Sequence, residues 1–222
     1  MSDPLDLVAF DIETTGFDRT DEVTVVGFCF PVGMRVFCQT GVRDWGDVEE
    51  TVQAKTDEHV DLTMHTSEAK LFRAFSSYVR DRLQGANVLL TAYNGETWNG
   101  GFDLPFLRTR FASCGLTWPF VDVPYADLYP VIDDLFNTQV DGQDHADLET
   151  AYAVLCDGEA NELDPFEESG EAVEAFDDAE FTSLVLHNVA DILRTAALGR
   201  IAERYCAKSD FQVKSLSPIR TP

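Results

Sequence analysis

Near the N-terminus of the 222-residue chain, four consecutive apolar residues, Leu7–Phe10, lead directly into the acidic tripeptide Asp11-Ile12-Glu13. An uninterrupted apolar run is typical of a β-strand that is buried on both faces, because a half-exposed strand would alternate polar and apolar residues. The run therefore predicts a central strand in a covered sheet. The two acidic residues would emerge at the end of this strand, just before a Thr14-Thr15-Gly16 turn.

Apolar and β-branched runs predict four further strands. Val23–Phe30 and Met34–Cys38 flank Pro31-Val32-Gly33, a spacing typical of a hairpin, so these two strands are expected to be antiparallel. Asn87–Tyr93 reads as another buried strand, and Val121–Tyr129 as an extended segment closed by Pro130. The expected order of elements over this part of the chain is βββαβαβ.

Apolar residues at helical spacing predict the helices. Ser67–Leu83 has a serine cap at its start and Gly85 just beyond its end, and Leu104–Phe111 is followed by Gly115. After Pro130 the chain is expected to be mostly helical, with helices at Ala146–Cys156, Glu171–Phe176 and about Phe181–Tyr205. The segment Gly158–Gly170 is expected to be an acidic loop, and the tail from Ser209 to be irregular.

Composition is consistent with one globular domain, since 45% of the residues are hydrophobic and 16 are Phe. The sequence shows no signal-peptide pattern and no apolar run long enough to span a bilayer, so we expect a soluble, cytoplasmic protein. The five cysteines include no Cys-x-x-Cys pair, and we expect them to be reduced thiols.

The formal charge of −24 argues against a polyanionic substrate, because nucleic-acid-binding proteins usually carry a basic surface. The acidity is uneven, however. Residues 141–180 contain 15 Asp or Glu and no Lys or Arg, whereas the rest of the chain has 25 acidic and 16 basic side chains. Beyond Ile192 the sign reverses, so this segment could meet phosphates through its basic residues Arg194, Arg200, Arg204, Lys208, Lys214 and Arg220.

Acidic residues recur at positions where they could share an ion. Asp11 and Glu13 are two apart on a strand, so both side chains point to one face, with Cβ atoms about 7 Å apart. Asp103 is near the start of a helix, where the helix dipole favours an anion. His187 and Asp191 are four apart on a helix and share a face. Taken singly, each has an ordinary explanation as a solvated strand end, an N-cap or a structural helix pair.

Taken in order, Phe10-Asp11-Ile12-Glu13-Thr14-Thr15-Gly16, Tyr93-Asn94-Gly95, Phe102-Asp103 and Leu186-His187-Asn188-Val189-Ala190-Asp191-Ile192 resemble the motifs of the DEDD-type 3′–5′ exonuclease superfamily. The resemblance is closest to the YprB-like branch and covers nearly the whole chain. It implies a ribonuclease H-like α/β fold over residues 1–208. Its mixed five-stranded sheet would have strands 1 to 3 antiparallel, strands 1, 4 and 5 parallel, and helices at its flanks. Residues 209–222 form the tail.

The resemblance also implies roles for individual residues. The metal ligands would be Asp11, Glu13, Asp103 and Asp191, holding two divalent cations, Mg²⁺ or Mn²⁺, for phosphodiester hydrolysis. His187 would be the catalytic base, although the three residues between it and Asp191 match the tyrosine-containing subclass, so His187 occupies the tyrosine position. Asn94 would lie near the substrate.

Further substrate contacts are expected from Thr14, from Phe17 by stacking on a terminal base, and from Arg108 or its neighbour Arg110 by contact with a phosphate. Tyr93 and Trp98 are also candidates for stacking. Core packing of the aromatic residues and simple exposure of the arginines are the alternatives. His59, His65 and His145 are assigned no role, and Asp127 is interpreted as a turn or cap residue that could approach the site.

These features leave several functions open. The expected partner is DNA or RNA, most simply a single-stranded 3′ end, with a polymerase or helicase as a possible protein partner. The alternatives are a structure-selective endonuclease on the same site, a non-catalytic nucleic-acid-binding protein of this fold, and an acidic protein whose carboxylates serve only solubility. The sequence does not separate DNA from RNA.

A chain this acidic suits concentrated salt, where the Debye length shrinks to about 3 Å at 1 M and repulsion between charges fades. We therefore hypothesise a halophilic source, and predict near-complete loss of folding or solubility when salt is removed. Circular dichroism and light scattering across a KCl titration measure this. A protein that remains folded and monodisperse without added salt would contradict the hypothesis.

Overall fold

The computed structural model describes residues 5–96, 102–141, 146–156, 158–168 and 170–220. The fold is α/β, and within these ranges seven strands form one mixed sheet in the order β4-β3-β2-β1-β5-β6-β7. The strands are β1 (Asp6–Thr14), β2 (Val23–Phe30), β3 (Gly33–Gln39), β4 (Val60–His65), β5 (Val88–Ala92), β6 (Pro124–Asp127) and β7 (Lys214–Ser215).

The pairing of strands places β1 at the centre. β1, β2 and β3 pair antiparallel, and β1, β5 and β6 pair parallel, as expected for the five predicted strands. The sheet has two strands more than predicted, because β4 extends it parallel to β3 and β7 extends it antiparallel to β6. β4 was missed although its residues alternate between apolar and polar, as in a partly exposed edge strand. His65, which was assigned no role, is the last residue of β4.

Helices cover both faces of the sheet. They are α1 (Val48–Lys55), α2 (Glu68–Arg82), α3 (Asp103–Ser113), α4 (Tyr129–Leu135), α5 (Leu148–Leu155), α6 (Glu159–Leu163), α7 (Glu171–Asp177) and α8 (Phe181–Tyr205). The predicted helices α2, α3, α5, α7 and α8 are confirmed to within a few residues. The acidic segment Gly158–Gly170 was expected to be a loop, but it contains the short helix α6.

Alternation along β1 divides the core into two layers. Val8, Phe10 and Ile12 pack with α2 and α3, in a cluster rich in phenylalanine. Ala9 faces the other side, where it packs with residues of α8. Because successive side chains on a strand point to opposite faces, Asp11 and Glu13 lie on the α8 side of the sheet. The long helix α8 therefore runs across the face on which these carboxylates project.

A buried ion pair ties α2, α3 and β2 together. Arg110 Nη2 lies 2.6 Å from Glu68 Oε2, Arg110 Nε donates to Glu68 Oε1 at 2.8 Å, and the same oxygen accepts the backbone N–H of Val23. Arg110 is therefore committed to the interior, and the alternative that it contacts a substrate phosphate is wrong. The pair helps to fix α3, whose first residue is Asp103.

The C-terminal tail is more ordered than expected. Besides β7, it buries Phe211 and Leu216, and the indole N–H of Trp118 donates to the carbonyl oxygen of Leu216 at 3.0 Å. The five cysteines, all of which lie in the described ranges, form no disulfide bond, and their reduced state stays a prediction. No helix in the described ranges is long and apolar enough to cross a membrane.

Candidate functional site

Three elements bring acidic side chains to one place. Asp11 and Glu13 lie at the end of β1, where a bulge follows Glu13, and Asp103 is the first residue of α3. Asp191 projects from the middle of α8. Asp11 is close enough to Glu13, Asp103 and Asp191 for each of these carboxylates to raise its pKa. All four predicted ligands therefore belong to one electrostatic cluster, which we call the acidic cluster.

Two members of the acidic cluster, one on β1 and one on α8, lie close to a histidine. Glu13, His187 and Asp191 each offer one ligand atom, and these three atoms all lie within 4.8 Å of one another. His187 Nε2 is 3.9 Å from Asp191 Oδ2. Carboxylate oxygens are the ligands that Mg²⁺ and Mn²⁺ prefer, so the donor set of the acidic cluster fits a hard divalent cation.

Burial and crowding both raise the pKa values of these acids. The pKa of Asp11 is raised well above its ordinary value, first by burial and then by Glu13, Asp103 and Asp191. Burial is also the main cause for Glu13, whose pKa rises to about 7 although His187 opposes the shift. The pKa of Asp103 is raised by burial, Glu13 and Asp127. Such carboxylates favour either protonation or a counter-cation.

His187 is buried between the acidic cluster and a fifth carboxylate. Its Nδ1 is 2.8 Å from Oδ1 of Asp164, and its Nε2 faces Glu13 and Asp191. Burial alone would lower the pKa of His187, but Glu13, Asp164 and Asp191 outweigh it and raise the pKa to about 9. The ring of Phe166 lies 5.3 Å from the imidazole, centroid to centroid.

Arg194 is buried beside the site, although the sequence analysis expected it on the surface. We expected it among the basic residues that could meet phosphates, but it is 3% exposed. Its Nη1 contacts Asp191 Oδ1 at 2.6 Å and Asp164 Oδ2 at 2.7 Å, while its Nε donates to Asn161 Oδ1 at 2.7 Å. The i, i+3 spacing from Asp191 was the available signal.

Asn188 is a second site residue that the sequence did not reveal. It is fully buried on α8, and its Nδ2 donates to Asp11 Oδ2 at 2.8 Å. Room for it comes from Gly27, which pairs with Asp11 across β1 and β2. A Cβ atom at Gly27 would lie only 2.1 Å from Asn188 Oδ1. The glycine therefore allows Asn188 to reach and orient Asp11.

Asn94 and Gly95 support Asp103. Gly95 has no Cβ to collide with Asp103, whereas an added Cβ would be 2.6 Å from its Oδ2. The turn is held by Asp127, which accepts the backbone N–H groups of Asn94 at 2.8 Å and Glu96 at 3.0 Å. The turn-and-cap interpretation of Asp127 is confirmed, and its charge also raises the pKa of Asp103.

The predicted substrate contacts have different surroundings. The hydroxyl of Thr14 donates to the carbonyl oxygen of Gly16 at 2.8 Å, so it is used within the turn. Phe17 is 69% exposed, and its ring lies 5.2 Å from that of Phe102, just before Asp103. Arg108 is exposed, with its guanidinium 5.7 Å from the centre of the Trp118 ring.

The other stacking candidates are less open to a ligand. The hydroxyl of Tyr93 donates to the carbonyl oxygen of Ala146 at 2.7 Å, and its ring packs against Tyr129. Trp98 and His145 lie outside the described residues. Contacts with a substrate stay predictions for Thr14, Phe17, Asn94 and Arg108.

A cavity of about 220 Å³ opens beside the α8 side of the site. His187, Asp191 and Arg194 form part of its wall. The rest includes the acidic side chains Asp147, Glu149, Glu167 and Glu168. A phosphate that approached through this opening would meet these negative charges before it reached His187.

Comparison with known proteins does not identify a family. No family model matches the chain, and a search of the curated proteins finds no significant match.

Replacing Gly27 by alanine should disturb the site through Asn188. The new methyl group would overlap Asn188 Oδ1 and push its amide away from Asp11. We expect Gly27→Ala to cost about 1–3 kcal/mol of unfolding free energy, as overpacking commonly does, and to weaken Mn²⁺ binding. Urea denaturation and isothermal titration calorimetry measure the two effects.

Gly170→Ala is the matched control, because a Cβ at Gly170 meets no atom within 4 Å and its φ of −64° suits alanine. It should change neither quantity. Mn²⁺ affinity that survives Gly27→Ala intact would show that Asn188 does not orient the acidic cluster.

The raised pKa values predict how the metal-free protein responds to pH. The pKa of Glu13 rises from 4.5 to about 7, so its ionisation destabilises the folded state as pH increases through that range. The pKa of His187 rises from 6.5 to about 9, so the stability that its protonation contributes is lost between those values. Glu13 therefore lowers stability up to about pH 7 and His187 from there up to about pH 9, so stability falls across pH 6 to 9.

We expect the melting temperature in EDTA to fall across pH 6 to 9, and Mn²⁺ to raise it more at pH 8 than at pH 6. Differential scanning fluorimetry measures both trends, with Asp11→Asn as the comparison that should weaken the response to Mn²⁺. An equal Mn²⁺ effect at the two pH values, or a metal-free protein that becomes more stable with rising pH, would contradict this account.

Proposed function

We propose that this chain is a metal-dependent 3′–5′ exonuclease that hydrolyses phosphodiester bonds of DNA or RNA, and that its fold is ribonuclease H-like. The observation that carries the proposal is the meeting of Asp11, Glu13, Asp103 and Asp191, from three elements, beside a buried histidine. The strand pairing supports it, since antiparallel β1–β3 and parallel β1, β5 and β6 are the pairings that the resemblance implies.

A metal fits the acidic cluster on the chemistry of its donors. Four carboxylates with raised pKa values repel one another, and this repulsion is relieved by divalent cations. Asp11, Glu13, Asp103 and Asp191 would hold two Mg²⁺ or Mn²⁺ ions. Such cations stabilise the charge that develops on the attacking and leaving oxygens of a phosphodiester.

The remaining chemistry belongs to side chains of this protein. His187 directs Nε2 toward Glu13 and Asp191, which is the position for a base that takes a proton from the attacking water. Arg194 holds Oδ1 of Asp191, and Asn188 holds Oδ2 of Asp11, so these ligands are oriented before any substrate arrives. Phe17 would stack on a terminal base, and its exposure beside Phe102 supports this role.

The test is a panel of end-labelled single-stranded DNA and RNA with Mg²⁺ or Mn²⁺ at several salt concentrations. We expect 5′-labelled strands to shorten progressively from the 3′ end, and circular strands to resist. Asp11→Asn and Asp103→Asn should abolish metal-dependent hydrolysis, and His187→Ala should slow it by about 10²- to 10⁴-fold. Cleavage of circles would instead indicate an endonuclease on the same site.

Asp178→Asn is the control, since Asp178 is an exposed carboxylate of the acidic segment. It should leave the rate unchanged. Hydrolysis that persists in Asp11→Asn and Asp103→Asn, or that is absent from the wild-type protein on every substrate, would overturn the proposed function.

A further inference from the structure

Asp164 reaches His187 from a part of the chain that the motifs do not include. It directly follows α6, 23 residues before His187, within the acidic segment 141–180. Its side chain is only 5% exposed, although most acidic residues of this segment are solvated. Burying a carboxylate costs free energy unless the group is paired with a cation or a hydrogen-bond donor. The partners of Asp164 therefore indicate its role.

Each oxygen of Asp164 has a different partner. Oδ1 lies 2.8 Å from His187 Nδ1 and accepts the backbone N–H of Phe166 at 3.1 Å. Oδ2 lies 2.7 Å from Nη1 of Arg194. Arg194 is charged at every pH of interest and can only donate, so Oδ2 is occupied as an acceptor.

The contact with Oδ1 selects one form of the neutral imidazole. A carboxylate can only accept, so the ring nitrogen that faces it must carry the proton. The other nitrogen, Nε2, is then unprotonated and directed at Glu13 and Asp191. The ring cannot easily turn over, because it is buried and Phe166 packs against it.

We propose that Asp164 is a positioning residue for His187: it accepts the Nδ1 proton and thereby presents Nε2 as the free nitrogen at the acidic cluster. The inference rests on the proposed function, because it explains how a histidine could act as the base there. It also gives the acidic segment a role in the site, beyond its contribution to surface charge.

Asp164→Asn provides a sharp test because an amide has only one oxygen. Arg194 is charged and requires an acceptor more strongly than the backbone N–H of Phe166 does. The amide oxygen therefore turns toward Arg194 and the amide NH₂ toward His187, and the hydrogen bond from Phe166 is lost. Nδ1 must then accept, and the proton moves to Nε2, where it faces the carboxylates. The substitution keeps the shape of the side chain but reverses the tautomer of the ring.

Nitrogen-15 NMR of the imidazoles reads the tautomer without any substrate. The chain has four histidines, and His187→Gln assigns the signal of interest. With Mg²⁺ present and the ring neutral, we expect the wild-type protein to show a protonated Nδ1, and Asp164→Asn to show a protonated Nε2. A wild-type ring with its proton on Nε2 would overturn the inference.

Kinetics test whether the contact matters for hydrolysis. We expect Asp164→Asn to lower kcat by about 10- to 100-fold with little change in KM, as loss of an orienting partner commonly does. The control Asp178→Asn should have no effect. In a His187→Ala background, Asp164→Asn should cost nothing further, because its effect acts through the imidazole.

A cost of Asp164→Asn that persists in the His187→Ala background would show that Asp164 acts through Arg194 and Asp191, and would overturn the inference. Thermal unfolding of each variant separates a lost fold from a lost contact. Failure of the proposed function would look different: the wild-type protein would hydrolyse nothing, while the NMR measurement would still decide whether Asp164 sets the tautomer.

Discussion

Repulsion among closely placed, largely desolvated carboxylates is the constraint on which the rest of the site depends. Burial raises the pKa values of Asp11 and Asp103 most, and the neighbouring carboxylates Glu13 and Asp191 raise both of them further. A protein tolerates such a cluster only if something compensates for it, and a hard divalent cation is the compensation that its oxygen donors suit. In the proposed function, the same repulsion that disfavours the metal-free fold would provide the affinity for metal.

Beside the acidic cluster, two buried side chains donate hydrogen bonds to its carboxylates. Asn188 donates to Asp11, and Arg194 donates to both Asp191 and Asp164, so α8 supplies these donors as well as the proposed ligand Asp191. These contacts use little exposed surface. Because the donors are buried, they can fix the carboxylates in place. This holds even though the segment that contributes Asp164 is strongly acidic and largely exposed to solvent.

Several parts of this arrangement could be predicted from sequence because they depend on local periodicity. The period of two along β1 puts Asp11 and Glu13 on one face, and the helical period puts His187 and Asp191 on one side of α8. The central position of β1 followed from its unbroken apolar run. In contrast, β4 was missed because its short alternation of apolar and polar residues lies among other polar residues. β7 was missed because a strand of two residues is too short to show any alternation.

What the sequence by itself determined was therefore which side chains share a face of an element. Only the tertiary structure decided which faces meet. It brings Asp164 to His187 and leaves room for Asn188 at Gly27. It also buries Arg110 against Glu68, where it is not free to contact a phosphate. The physical reason is that local periods constrain neighbours a few residues apart. Contacts between distant residues depend on how α8 and α3 are seated on the sheet, which packing of the whole core sets.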